Sequence, residues 1–531
     1  MNADNTQKTD ETTDSSRRFT FPTALTVLAI ILIVVWIAAF FIPSGLYEVD
    51  ENGPIPGTYA ELPNCAAGET PIQDGGDCVD KSPINMFRLF WISTPNGLYG
   101  VENAENGFVT ADELGFLYGS AQIFLFVLAV GAFITVTMKT GAIETGIGRL
   151  ALRYRKSPTL LVVILMLVFA VGGTTYGMWE ETLGFFVLLV PLVLALGYDR
   201  MVGAAILLLG AGAGVIGSTV NPFATGVASD AAGIPISDGL GLRVVMWIVV
   251  VAAAIAYVLW YGNRVRKDPE RSVMGPSHLS EVAAGDEEAA DEEAADVQKL
   301  TRRQVWILVV FALAFLILIY GFIPWNDVWA NLFDAEYPLW TFSNFYFTEA
   351  SMLFIVMAVV IGLIDRMNEK TIVNTMVAGA ADFLGAALVI VAARGITVVM
   401  KNTYITDTVL SYMEGAVSDV SAFGFTQLAF MANLPIAFLV PSSSGHAALV
   451  MPILAPLSDF AGVARSSAVT AYQAASGSVN LLTPTAAVVL GGLTLAKVGY
   501  DRYLKFLWPF LIGLFVILTV FMGLAAVTGA V

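Results

Sequence analysis

Four polar clusters interrupt an otherwise apolar chain of 531 residues. The first reads Thr174-Thr175-Tyr176-Gly177-Met178-Trp179-Glu180-Glu181, and the second reads Gly217-Ser218-Thr219-Val220-Asn221-Pro222-Phe223-Ala224-Thr225. The third is Pro441-Ser442-Ser443-Ser444-Gly445-His446, and the fourth is Gly477-Ser478-Val479-Asn480-Leu481-Leu482-Thr483-Pro484-Thr485. Proline lacks an amide hydrogen and clashes with the preceding turn, so Pro222 and Pro484 should open their helices nearby. Freed carbonyls together with Ser, Thr and Asn oxygens make a hard-cation site, and Ser218, Asn221, Ser478 and Asn480 are candidate sodium ligands. Half-helix N-termini aim partial positive charge at the same place and can hold a carboxylate. A single Ser or Thr in such a chain is more often packing glue between helices. Four clusters in register argue for a site instead.

Ionisable groups are costly in apolar surroundings and are weighed separately. Glu180 and Glu181 could bind a cationic substrate, carry a proton or line a wet vestibule. Arg394 could take a substrate carboxylate or pair with an acid such as Glu180, Glu181 or Asp382. His446 sits at the tip of a hairpin, where it could titrate near neutral pH or simply hydrogen-bond. Asp199 and Asp459 read as structural residues at the membrane surface. No catalytic residue is assigned: the two histidines are not clustered, and no activated Ser arrangement or GxxxxGK[ST] loop is present. An enzyme is therefore not expected, nor is ATP-driven transport. A channel remains an alternative, since broken spans and polar constrictions also suit a pore.

These clusters need membrane elements to position them. Hydrophobic residues make up 56% of the chain and charged residues only 13%, so the excess apolar surface must face lipid. Full spans are read near 20–43, 117–138, 203–229 (interrupted), 243–261, 304–324, 347–365, 379–400, 466–496 (interrupted) and 506–524. Two shorter pairs, 158–173 with 182–197 and 423–440 with 447–458, read as re-entrant hairpins rather than as tilted full spans. The net charge of −17 argues against a nucleic-acid partner. Much of the acid lies in the stretch EVAAGDEEAADEEAAD at 281–296. It suggests a high-salt (halophile) habitat or, more plainly, a solvated linker. Cys65 and Cys78 share the polar loop 44–117, and a disulfide is plausible there if the loop faces outside.

Positive residues set orientation. Arg17 and Arg18 put the N-terminus in the cytoplasm. The basic groups 139–156, 264–303, 365–370 and 497–505 follow the same side, and the uncharged C-terminus falls outside.

The sequence contains an internal repeat. Residues 127–146 match 389–408 at seven of twenty positions without a gap, including Lys139 with Lys401, an offset of 262. Asp199 pairs with Asp459 and Ser218 with Ser478 at 260, and Asn221 with Asn480 at 259. The first repeat starts outside and the second inside, so the repeats are inverted, as in transporters that alternate access. This divides the chain into 1–116 (tail, first span and outer loop), 117–261 (first repeat), 262–303 (acidic cytoplasmic linker), 304–378 (two scaffold spans) and 379–531 (second repeat).

The motifs GGTTYGMWEET (172–182), GYDRMVG (197–203), GSTVNPFATGVAS (217–229), AARGITVVM (392–400), PSSSGHAALVMPILAPLSD (441–459), AYQ (471–473) and PTAAV (484–488) resemble the DcuC-like four-carbon dicarboxylate carriers, in particular their YfcC-like branch within the ion transporter superfamily. The resemblance implies a scaffold able to form a homodimer and a mobile part carrying the hairpins in an elevator-like motion. Substrate would then lie between hairpin tips and broken spans. It implies dicarboxylates as family substrates and basic amino acids for the branch. That branch often carries Gln where this chain has His446.

The sequence thus predicts an all-α polytopic membrane protein with two inverted repeats, each holding a re-entrant hairpin and a broken helix. Its expected activity is secondary-active transport of a small carboxylate-bearing metabolite, favouring a basic amino acid such as arginine or ornithine over a four-carbon dicarboxylate. The expected site comprises Thr174, Thr175, Gly177, Glu180, Glu181, Ser218, Thr219, Asn221, Thr225, Arg394, Ser442, Ser443, Ser444, Gly445, His446, Ser478, Asn480, Thr483 and Thr485. No cofactor is expected beyond a coupling sodium ion or proton. The partners expected are the substrate, the bilayer and a second copy of the chain.

Overall fold

The computed structural model describes residues 24–50, 53–111, 115–154, 156–275, 299–323, 325–326, 329, 337–342, 345–417, 420–484 and 486–528. The acidic stretch 281–296, Arg17, Arg18, Arg155, Thr485 and the last three residues lie outside them.

The chain is mostly helical. Helices α1 (Ala24–Ala38) and α2 (Pro83–Tyr99) precede α3 (Ala121–Lys139), α4 (Ala142–Arg153), α5 (Pro158–Thr175), α6 (Leu183–Ala195), α7 (Arg200–Ile216), α8 (Val227–Ala231) and α9 (Leu240–Lys267). Then follow α10 (Arg302–Phe322), α11 (Phe347–Ile364), α12 (Glu369–Asn402), α13 (Thr406–Val417), α14 (Ala422–Leu439), α15 (Ser443–Phe460), α16 (Arg465–Leu482), α17 (Ala487–Leu495) and α18 (Tyr500–Thr528). Among the described residues eight helices are long and apolar enough to cross a membrane: α3, α5, α9, α10, α11, α12, α14 and α18.

Burial separates centre from rim. The apolar windows of α12 and α3 are 72% and 61% buried, whereas that of α10 is 28% buried. The two central helices touch backbone to backbone. A Cβ on Gly379 would lie 2.5 Å from the Gly131 carbonyl oxygen, so only glycine permits this crossing. An aromatic cluster fills the gap towards α10 and α11, with the Phe133 ring 5.4 Å from Phe311 and 5.0 Å from Phe354.

Polar ends are capped locally. Asp199 accepts from the Val202 amide at 2.9 Å and so starts α7. Its other oxygen takes the Tyr261 and Ser272 hydroxyls, each at 2.6 Å. Asp459 pairs with Arg465 at 2.6 Å.

The structure differs from the sequence reading in four places. The loop 44–117 is not plain loop: it holds the 17-residue α2 and short antiparallel strand pairs, including Ser44–Leu46 with Ala60–Leu62. Helix α2 carries Pro95 and has a mixed polar face, which hides it from a hydropathy reading. Its Gly97 lies against α12, where a Cβ would be 2.6 Å from the Gly395 nitrogen. Cys65 and Cys78 are joined in this loop, S–S 2.02 Å.

Second, α12 runs 34 residues rather than the 22 of 379–400. Its polar first turns, capped by Asn368 on the Thr371 amide at 2.8 Å, do not read as apolar. Third, the first arm of each hairpin pair, α5 and α14, has 18 residues and enough apolar character to cross. Their length therefore does not by itself require a re-entrant path. Fourth, α16 continues through Gly477, Ser478 and Asn480 and ends only at Leu482, just before Pro484. The expected break from Gly477 onward is confined to its last residues. Proline obstructs the turn before it and leaves the earlier ones intact.

Candidate functional site

The first hairpin turn is stitched to the first helix break. Helix α5 ends at Thr175, and Gly177 follows with φ +78°. A Cβ on Gly177 would lie 2.8 Å from Asn221 Oδ1, so the turn and the break touch at a glycine. Thr174 Oγ1 donates to the Gly217 carbonyl at 3.1 Å and accepts from the Thr219 amide at 3.0 Å. The Thr174 carbonyl accepts from the Val220 amide at 3.3 Å. Asn221 donates to the Gly173 carbonyl at 3.3 Å and caps the following π-helical turn, Pro222–Gly226, by accepting from the Phe223 amide at 2.8 Å.

Backbone groups freed inside a membrane must be satisfied internally. Here Gln473 of α16 does so, donating to the Ile216 carbonyl at 3.2 Å and the Ser218 carbonyl at 2.9 Å. Its Oε1 accepts from Thr225 Oγ1 at 2.8 Å, and that hydroxyl lies 2.5 Å from Ser218 Oγ. The carbonyls expected to face an ion are therefore held by an amide.

The second hairpin is organised by α15. Ser442 caps it, accepting from the Gly445 amide at 3.3 Å. Tyr472 donates to the Ser443 carbonyl at 2.5 Å, and Asn480 Nδ2 donates to Ser443 Oγ at 3.3 Å. His446 works inside the hairpin. Asn433 gives its amide hydrogen to the Ala429 carbonyl, so its Oδ1 accepts from His446 Nε2 at 2.8 Å. The imidazole lies edge-on to Tyr472 at 4.8 Å.

Between these two assemblies lies a cavity of about 670 Å³. Gly177, Glu180, Glu181 and Asn221 line it from the first unit, and Ser442, Ser443, Ser444 and Asn480 from the second. Among the described residues the other expected ones do not line it. Thr174, Ser218, Thr219 and Thr225 knit the first break. Thr175, Ser478 and Thr483 donate to carbonyls four residues back on their own helices, at 2.7, 2.6 and 2.8 Å. Gly445 and His446 lie behind the tip of the second hairpin. The four candidate sodium ligands accordingly sit at two separate places, and only Asn221 and Asn480 open on the cavity.

Arg394 goes elsewhere. Its guanidinium pairs with Asp230 of α8 at 2.5 Å and lies 5.1 Å from the Tyr118 ring centre. None of Glu180, Glu181 or Asp382 is its partner. Asp382 lies twelve residues away on the same helix, about 18 Å along the axis, too far for contact.

Four notable lining residues stand outside the expected site set. Trp179 and the ring pair Phe223–Phe383, 5.8 Å apart, provide apolar walls. Asp382 adds a third carboxylate, contributed by α12. A charge in the middle of an apolar span was the available signal. Among the described residues lining the cavity there is no Lys, Arg or His.

The family model of DcuC, described as C4-dicarboxylate anaerobic carrier, matches residues 21–527. A Haemophilus influenzae protein described only as "Uncharacterized protein" is 28% identical over 510 residues, covering 93% of this chain and 96% of that one. The Escherichia coli (strain K12) protein named "Putative basic amino acid antiporter YfcC" is 28% identical over 512 residues, covering 92% and 93%. Among solved structures, the YdaH transporter of Alcanivorax borkumensis superposes with a TM-score of 0.65 at 14% identity, over 95% of this chain and 98% of that one. MtrF of Neisseria gonorrhoeae, from a class of antimetabolite efflux pumps, gives 0.59 at 15% identity, over 95% of each. These two likenesses establish the shared fold. With the helices described above and a match across nearly its whole length, the chain is a multi-pass membrane protein belonging to the DcuC family of transporters.

Proposed function

We propose that the protein is a secondary-active transporter, a symporter or exchanger, of a small metabolite carrying both a carboxylate and positive charge: a basic amino acid of the arginine or ornithine kind. One observation carries this reading. The cavity presents Glu180, Glu181 and Asp382 and, among its described lining residues, no cationic side chain. A dianion there is repelled by the carboxylates, about 3 kcal/mol per charge pair at 6 Å with an effective dielectric near 20, and one helix N-terminus cannot offset two such charges. A cationic side chain gains the same amount instead. The substrate carboxylate faces the first turn of α15, whose N-terminal end, at Ser442 to Ser444, opens on the cavity. The printed description of the Escherichia coli relative as a basic amino acid antiporter favours exchange.

The same proposal takes the two hairpin-and-break units as inverted repeats moving elevator-fashion against the long helices. The register of Lys139 with Lys401 and of Ser218 with Ser478 supports it. It adds coupling to sodium or protons, a cytoplasmic N-terminus, an extracytoplasmic C-terminus and a homodimeric scaffold. Purified protein in proteoliposomes, with and without a sodium gradient, is offered radiolabelled arginine and succinate. Arginine uptake accelerated by internal arginine or ornithine is expected, with no succinate uptake. Succinate uptake without arginine uptake refutes the reading.

A further inference from the structure

We propose that Asp382 forms a second cation-binding pole of the cavity, so that the site recognises two positive charges on one small substrate, one held by Glu180 and Glu181 and the other by Asp382. This rests on the basic-amino-acid reading and specifies how such a substrate is told apart from a neutral one.

Asp382 comes from α12, which belongs to neither hairpin nor break, so it addresses the cavity from a different side than the two glutamates. It lies in an apolar span, where an ionised carboxylate is expensive unless it faces water or a partner. Among the described residues no hydrogen bond or ion pair engages its side chain. The cations that could have served are committed elsewhere. Arg394 holds Asp230 at 2.5 Å, and Lys401 holds Glu102 at 2.5 Å. Lys139 bonds Thr375 at 3.0 Å, seven residues from Asp382 and about 10 Å along α12. The acid is thus left open to the cavity, with its charge uncompensated by the protein.

Asn480 points independently to a donor-rich ligand. The residue is 8% exposed and lines the same cavity, and its Oδ1 is a buried acceptor with no protein donor. Its amide nitrogen is occupied by Ser443 Oγ, so the free end is the acceptor. A buried acceptor left unsatisfied costs about 1–3 kcal/mol, and an ammonium N–H removes that cost. A basic amino acid supplies two cations and one carboxylate. The acids and the Asn480 oxygen suit the former, and the α15 N-terminus suits the latter.

The test is competition against labelled arginine uptake in proteoliposomes. The probes are ornithine, norvaline (which lacks the side-chain ammonium) and 5-aminovalerate (which lacks the α-ammonium). Wild-type protein should prefer ornithine to both single-cation analogues by at least about tenfold. Asp382→Asn should raise the half-saturation for ornithine about tenfold with the maximal rate largely kept. It should also abolish discrimination against one analogue and spare it against the other, and Asp382→Glu should restore part of it. A general folding defect would not change the analogue ratio selectively. Wild-type protein that binds either analogue as well as ornithine overturns the inference without any variant, as does an Asp382→Asn protein with unchanged ratios. Wild-type protein that moves succinate and not arginine overturns the underlying reading instead, a result seen before any substitution is made.

Discussion

Substituting one member of the Arg394–Asp230 pair should destabilise the fold, and substituting both should restore most of the loss. The pair bridges α12 and α8 at 2.5 Å, and the two side chains are only 11% and 25% exposed. Asp230→Leu leaves the guanidinium without its counter-charge or that acceptor, with the Tyr118 ring 5.1 Å away as a partial substitute. Removing one partner of a buried pair costs about 3–5 kcal/mol, and the cation–π contact offsets about 1 of these, leaving about 3. Arg394→Met leaves Asp230, which is better hydrated, so about 2–3 kcal/mol is expected. Replacing both with apolar residues, Arg394→Met with Asp230→Leu, removes both desolvation terms and should cost about 1 kcal/mol or less. The coupling energy is then about 4 kcal/mol or more. Unfolding of a membrane protein is irreversible, so the measurement is the apparent melting temperature of detergent-solubilised protein at one fixed heating rate. Each single variant should melt several degrees below the wild type and the double variant close to it. Transport by the double variant then decides the role of Arg394. Arginine uptake near the wild-type level fits a structural pair. A stable double variant that has lost all uptake, or a double variant as unstable as the sum of the singles, refutes the reasoning.

Two further outcomes follow from the same geometry. Gly379→Val should lower melting temperature and yield sharply, since its Cβ would lie 2.5 Å from the Gly131 oxygen and overpacking costs about 1–3 kcal/mol or more; Gly385→Val on the same helix, with nothing within 4 Å, is the control expected to stay near wild type. Lys81, in the outer loop, is lowered to about 8 by burial while it donates to the Ile42 carbonyl at 2.5 Å. Its folded form therefore sheds its proton before the unfolded one does, so stability should rise as pH goes from about 8 towards 10.5, and Lys81→Met should flatten that rise in a melting-temperature series.

The spans were legible in the sequence because a bilayer demands long apolar runs and little else satisfies it. The polar tips were legible for the complementary reason: Ser, Asn, Glu and Pro are expensive in such runs unless they are used. What hydropathy could not convey was pairing across distance. Arg394 and Asp230 are 164 residues apart, and nothing local to either names the other. Asp382 was visible as a charge, yet its direction depends on how α12 is rotated against α3, which the Gly131–Gly379 crossing sets. Helix α2 escaped because its apolar run is short, Leu89 to Ile92, and is flanked by Asn85, Arg88, Ser93, Thr94, Pro95 and Asn96, so it does not read as a span. Propensity also misplaced the second break. Gly477 looked like its start, but it is the residue at which α16 packs against the end of α7, where an added Cβ would lie 2.8 Å from Ile216.

The two breaks are held together by a hydrogen-bond economy that neither could satisfy alone. Helix α7 ends at Ile216 with carbonyls that no further turn of amides donates to. In water they would be solvated; in a membrane they need a donor from the protein or a bound ion. Gln473 supplies two N–H bonds and takes the Thr225 hydroxyl on its oxygen, so one amide closes three groups of the opposite unit. The Thr174 and Asn221 contacts close the rest of the first break against its own hairpin. The same closure is incomplete at the second break, where Asn480 keeps a buried oxygen without a protein donor. That asymmetry separates structure from site. Where polar groups saturate one another, as around Gln473, the cluster is mortar. Where they line a cavity without protein partners, as do the Asn480 oxygen and the Asp382 carboxylate, they are the groups that the proposed cationic, hydrogen-bond-donating substrate would use.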